Sequence, residues 1–173
     1  MVSLLSRLFG LEDASPTEAS SDTDTVRRIV REVDRLDPSE ARYLAAFAFV
    51  LARVANADMT ISEEESRRME EIVREQGGLS EAQAVLVVQI AKSQQLLKGG
   101  TENYLVTREF DKISSREQKE RLLGCLFEIS AADDEISLVE ENEIKLIATE
   151  LKFEHRDFSA IRSRYNSKRS ILK

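Results

Sequence analysis

A chain of 173 residues, 42% hydrophobic and 33% charged, suits one domain with a real core and excludes a disordered chain. A formal net charge of −7 disfavours nucleic acid as a partner, because polyanion binding depends on cations that release condensed counterions. With 6 Gly, 2 Pro and 1 Cys, the chain lacks the turn chemistry of an all-β fold and cannot form an internal disulfide.

The first stretch, "MVSLLSRLFGLE", carries Val2, Leu4, Leu5, Leu8, Phe9 and Leu11 but is too short and too broken by Arg7 for a signal peptide. Residues 1–11 either lie on a membrane surface, dock on a partner, or fold back on their own domain. The polar run 12–25 reads as a flexible linker, so residues 1–25 precede a helical domain over 26–173. No apolar run reaches the roughly 18 to 20 residues that cross a bilayer.

Asp24 or Thr25 can cap a helix whose apolar positions Val26, Ile29, Val30, Val33 and Leu36 keep helical spacing. Asp37-Pro38-Ser39-Glu40 restarts the chain with a capping signature, and "YLAAFAFVLARVA" makes the next helix core-facing as far as Ala57 or Asp58. Ser62 opens a third helix that Gly77-Gly78 closes. Ser80 with Gln83 opens a fourth, ended by Gly99-Gly100, and a weaker helix runs from Glu102 to about Asp111. Ser115 with Gln118 starts a core helix bearing Leu122, Leu123, Leu126, Phe127 and Ile129. The last two run from about Leu138 to Leu151 and from about His155 to Ser167. The expected fold is all-α, a compact bundle of seven to eight helices.

One pattern occurs twice. "ANADMTISEEE" (55–65) and "SAADDEISLVEE" (130–141) superpose without a gap at an offset of 75 residues, pairing Asp58 with Asp133, Ile61 with Ile136, Ser62 with Ser137 and Glu65 with Glu140. Upstream, Phe47 meets Leu122 and Leu51 meets Leu126, so the chain reads as an internal duplication. Helix pairs packed about a pseudo-two-fold axis would bring the two acidic loops to related positions.

Three readings compete for this motif. A calcium-binding EF-hand fails in its first half, where Val54 and Asn56, or Ile129 and Ala131, stand at ligand positions and Met59 or Asp134 stands at the sharp-turn glycine. A structural reading makes Ser62 and Ser137 N-caps, each closing a capping box with Glu65 or Glu140. It leaves Asp58 and Asp133 at the end of a helix, where negative charge opposes the macrodipole and asks for a cation. The third reading joins the two: Asp58, Glu65, Asp133 and Glu140 present carboxylates to a hard divalent cation, Ca²⁺ or Mg²⁺. Zinc lacks its usual nitrogen and sulfur ligands in a chain with one His and one Cys.

Two copies of Ala-Asp-x-x-Ile-Ser-x-x-Glu, each between a core helix and an amphipathic one, resemble the tellurite-resistance TerB family and its TerB-like relatives over roughly Ser39 to Tyr165. The resemblance implies a compact helical domain with an acidic face that binds divalent cations, found in stress-response operons and in membrane-anchored J-domain co-chaperones. It carries over to Asp58, Glu65, Asp133 and Glu140. The family usually has Gly directly after the motif Asp, where this chain has Met59 and Asp134; Asp accepts a left-handed backbone more readily than Met, which favours the second loop.

Other chemistry is sparse. Cys125 sits among apolar neighbours and His155 among charges at a helix start, with no nucleophile–base set and no phosphate-cradling loop, so the expectation is a non-enzyme without an organic cofactor. The basic end, Arg156, Arg162, Arg164, Lys168, Arg169 and Lys173, reads as the solvated side of a last helix held by Phe158, Ile161 and Tyr165. The functional expectation is a cytoplasmic cation-binding module, peripheral to the inner membrane, that supports a stress-related protein complex. The alternative is a metal-independent scaffold or co-chaperone-like adaptor.

Overall fold

The computed structural model describes residues 21–55, 61–93, 103–132 and 134–172. Among them lie eight α-helices: α1 (Ser21–Asp34), α2 (Pro38–Ala55), α3 (Glu63–Glu75), α4 (Glu81–Ser93), α5 (Asn103–Ile113), α6 (Arg116–Ala131), α7 (Leu138–Glu150) and α8 (His155–Ser163). Two 3₁₀ turns, Asn166–Lys168 and Ser170–Leu172, follow α8. No helix among the described residues is long and apolar enough to cross a membrane. The all-α reading holds, and the one β feature among these residues is an isolated parallel bridge between Ile136 and Arg169.

The apolar run of α2 is hydrophobic nearly all round, and a helix of that kind must be enclosed. Leu44, Phe47, Val50 and Leu51 are accordingly fully buried, and α2 packs against α4, α5, α6 and α7. The amphipathic α3 contributes only one stripe, Met69 and Val73 with Ser66, and lies on α4 and α6. Phe47, Phe110 and Tyr43 meet as one aromatic group; Phe127, Phe158 and Tyr165 form another that seats α8 and the tail on α6.

Gly78 stops the chain after α3 in the left-handed conformation, φ 68°, as expected of a glycine closing a helix. Two boundaries differ from expectation. Helix α1 starts at Ser21, inside the stretch read as linker. Helix α8 stops at Ser163 instead of Ser167, because the following backbone turns to bond with Ile136. The expected end of α4 near Gly99 and the segment 1–11 lie outside the described residues.

Candidate functional site

The helices that follow the two motif loops begin in the same way. Ser62 (φ −67°, ψ 167°) and Ser137 (φ −67°, ψ 157°) both take the extended conformation of an N-cap. In α3 the Ser62 oxygen accepts from the Glu65 amide at 3.2 Å and the Ser62 amide donates to Glu65 Oε2 at 2.5 Å. In α7 the distances are 3.3 Å and 2.9 Å, and the Ser137 hydroxyl also donates to Glu140 Oε2 at 2.6 Å. Both capping boxes read from the sequence are therefore present. The Ser62 backbone N–H, followed by its hydroxyl, holds the Glu65 carboxyl below its ordinary range.

Of the four carboxylates expected to act together, Glu65 and Glu140 are described, each engaged through Oε2 in its cap. Asp58 and Asp133 lie outside the described residues, as does Met59. Helices α3 and α7 share no substantial interface; both pack on α6. Among the described residues no three His, Cys, Asp or Glu side chains converge as a metal cluster.

The second loop has features of its own. Asp134 takes φ 68° with its amide bonded to Ala131 O at 3.1 Å, so an aspartate supplies the left-handed turn where glycine was the expected residue. Ile136 is fully buried. Its amide donates to Lys168 O at 2.7 Å, and its carbonyl accepts from the Ser170 amide at 3.0 Å. Next to the loop, Ser130 buries its hydroxyl with no hydrogen-bond partner among the described residues.

The basic C-terminal end keeps Arg156 and Arg164 exposed, as expected of a solvated face, but departs from that expectation at Arg169, which is buried. Arg169, 9% exposed, grips Glu141, 6% exposed, through Nε at 2.8 Å and Nη2 at 2.6 Å, and Arg162 Nη1 adds a contact at 3.4 Å. These guanidiniums, Arg169 foremost, hold the Glu141 carboxyl below its ordinary range against the opposing effect of burial. Lys168 Nζ stands 3.2 Å from Asp134 Oδ1. Glu141 was legible in principle, since it lies three residues before Ile144 on the buried stripe of α7 and a buried acid needs a cation. Which of six basic residues would serve was not.

Two further ion clusters went unread. Arg53, in the last turn of α2, reaches Glu143 at 2.7 Å, Glu150 at 2.6 Å and the Thr107 hydroxyl at 2.6 Å. Asp111 meets Lys119 at 2.6 Å and Lys152 at 2.5 Å. Burial would raise the Asp111 carboxyl, but the two ammonium groups outweigh it and hold the group below its ordinary value. Cys125 is fully buried, and burial pushes its thiol up to about 12, so the thiol stays protonated at neutral pH. His155 is exposed at the first position of α8, with Ser159 Oγ at 3.5 Å.

A family model described as tellurite resistance protein TerB matches residues 44–163, slightly inside the span of the expected resemblance. No curated protein and no solved structure matches the chain.

Proposed function

Given that this chain belongs to the TerB family, we propose that it is a non-enzymatic module whose two motif loops bind a divalent cation, Ca²⁺ or Mg²⁺, and that it supports a stress-related protein complex in the cytoplasm, peripheral to the inner membrane. The observation that carries this reading is the pair of capping boxes. Each follows an Ala-Asp motif, each uses the same backbone conformation at serine, and each fixes a glutamate one turn beyond the loop. In this arrangement Asp58 and Asp133 are the primary ligands. Glu65 and Glu140 lend their Oε1 atoms while Oε2 holds the cap. The buried Ser130 hydroxyl, without a partner among the described residues, offers a further hard oxygen beside the second loop. The segment 1–11 is the part proposed to touch a membrane surface or a partner.

A second reading, the metal-independent scaffold or co-chaperone-like adaptor, is favoured by one specific observation. Glu65 and Glu140 already have structural employment, and caps of this kind stabilise a helix by about 0.5–2 kcal/mol without any ion. Calorimetric titration of Ca²⁺, Mg²⁺ and Zn²⁺ separates the two. Heat with Ca²⁺ or Mg²⁺ in the wild type that disappears in Asp58→Asn/Asp133→Asn supports the cation module. Absence of heat in both proteins supports the scaffold.

A further inference from the structure

We infer that the outward face of α7 is a docking surface for a second copy of this chain. The contact requires no cation at the motif loops.

Helix α7 turns Leu138, Val139, Asn142, Lys145, Leu146 and Thr149 to solvent, opposite its buried stripe of Glu141, Ile144, Ile147 and Ala148. Three of these six exposed residues are large and apolar, with Val139 74% and Leu146 48% exposed, and only Lys145 is charged. At the 75-residue offset the same positions of α3 hold Glu63, Glu64, Arg67, Glu70, Glu71 and Arg74, every one of them charged. Both helices start from the same capping box and bury matching stripes, so the fold asks the same of each. What differs is the side that the fold leaves free. A helix side with no packing role keeps a protein soluble when it is charged, as in α3; Leu and Val in those places favour association unless something covers them.

The exposed apolar surface gathers around this helix. Among the described residues seven large hydrophobic side chains are exposed, three of them on α7. The others stand on elements that adjoin it: Tyr104 and Leu105 on α5, which packs against α7, and Ile171 and Leu172 on the tail, which is bonded to Ile136 just before the α7 cap. Side chains of this size and exposure present on the order of 100 Å² each, about 700 Å² together. That exceeds the roughly 300–600 Å² patch of a typical monomer and approaches the roughly 800 Å² that each partner gives to a standard stable interface. Two molecules of net charge −7 repel one another unless they meet on an electrically quiet face. The acids of α7 are engaged away from this one: Arg169 and Arg162 hold Glu141, Arg53 holds Glu143 and Glu150, and Glu140 closes the cap. A strongly charged partner finds little to bind there. An identical apolar stripe fits, about the two-fold axis that is the commonest symmetry of soluble oligomers.

Sedimentation equilibrium of the full chain over about 5–200 μM tests this, a range suited to an interface slightly below standard size. The wild type is expected to reach twice the chain mass. Val139→Glu/Leu146→Glu, which gives α7 the residues that α3 has at these positions, should weaken dimerisation by about 100-fold or more, because the two-fold axis applies each substitution twice. Both positions are exposed, so its thermal midpoint should stay within about 2 °C of the wild type. Arg28→Gln/Arg68→Gln, which lowers the net charge by the same amount from exposed positions on α1 and α3, should still dimerise. A wild type that is monomeric across the range overturns the proposal, and a rise in hydrophobic-dye binding in Leu5→Asp/Leu8→Asp would then assign the stripe to residues 1–11. Dimerisation of Val139→Glu/Leu146→Glu as tight as the wild type, or an equal loss in the arginine variant, overturns it as well.

Discussion

Arg53 is the charge whose removal should be felt most. Its side chain is 5% exposed and joins three helices, bonding from α2 to Glu143 and Glu150 on α7 and to Thr107 on α5. Replacing it with Met keeps the apolar stem and approximate volume. It leaves two carboxylates without a counter-charge, Glu150 at 10% exposure and Glu143 at 30%. Removing one partner of a buried pair costs about 3–5 kcal/mol, and because water can reach Glu143 the lower end of that range applies, about 3 kcal/mol. A domain of this size is stable by only about 5–15 kcal/mol in total. The midpoint of thermal unfolding should fall by about 6–12 °C. Urea denaturation of the wild type, Arg53→Met and Arg53→Met/Glu150→Gln measures it, and the double variant should recover about 1 kcal/mol because a neutral amide is cheaper to leave unpaired than a carboxylate. A loss below about 1 kcal/mol for Arg53→Met would mean that the cluster behaves like a solvated surface pair. A double variant no more stable than the single would refute charge as the cause.

Two more outcomes follow from the same chemistry. Glu141 and Asp111 are held below their ordinary values of 4.5 and 3.8, so their stabilisation is fully present above those values and disappears as pH falls through the lower folded-state values. The urea midpoint should therefore drop below about pH 4.5, and Glu141→Gln, less stable at pH 7, should show a shallower drop; parallel curves would contradict the assignment. Cys125, buried against Ile72 O at 3.9 Å with its thiol pushed up to about 12, should resist iodoacetamide at pH 8 until the chain is unfolded in urea, and equal labelling rates in native and unfolded protein would disprove the burial argument.

What could be read from the sequence was local. The boxes Ser62–Glu65, Ser80–Gln83, Ser115–Gln118 and Ser137–Glu140 each close within three residues, so the order of residue types is enough to specify them. The enclosure of α2 followed from its apolar run, and Asp134, standing where the resembled family has glycine, takes a left-handed turn that an aspartate tolerates. The TerB likeness rested on the same short spacings, and the matched span 44–163 agrees with it.

The charges were another matter. Arg53 finds its carboxylates 90 and 97 residues away, and Arg169 finds Glu141 28 residues back. Spacing along the chain carries no information about such partners, since any of several acids has the chemistry to satisfy a guanidinium. The basic end looked solvated because six cations near one acid have no local use for one another. Only the packing of α8 and the tail against α6 brings Arg169 over Glu141 and the tail backbone onto Ile136. The sequence by itself determined which helices form and how they start, because propensity and capping act within a turn or two. Tertiary structure decided which charges are buried, paired or left to the solvent, because the free energy of a charge depends on what the rest of the chain places beside it.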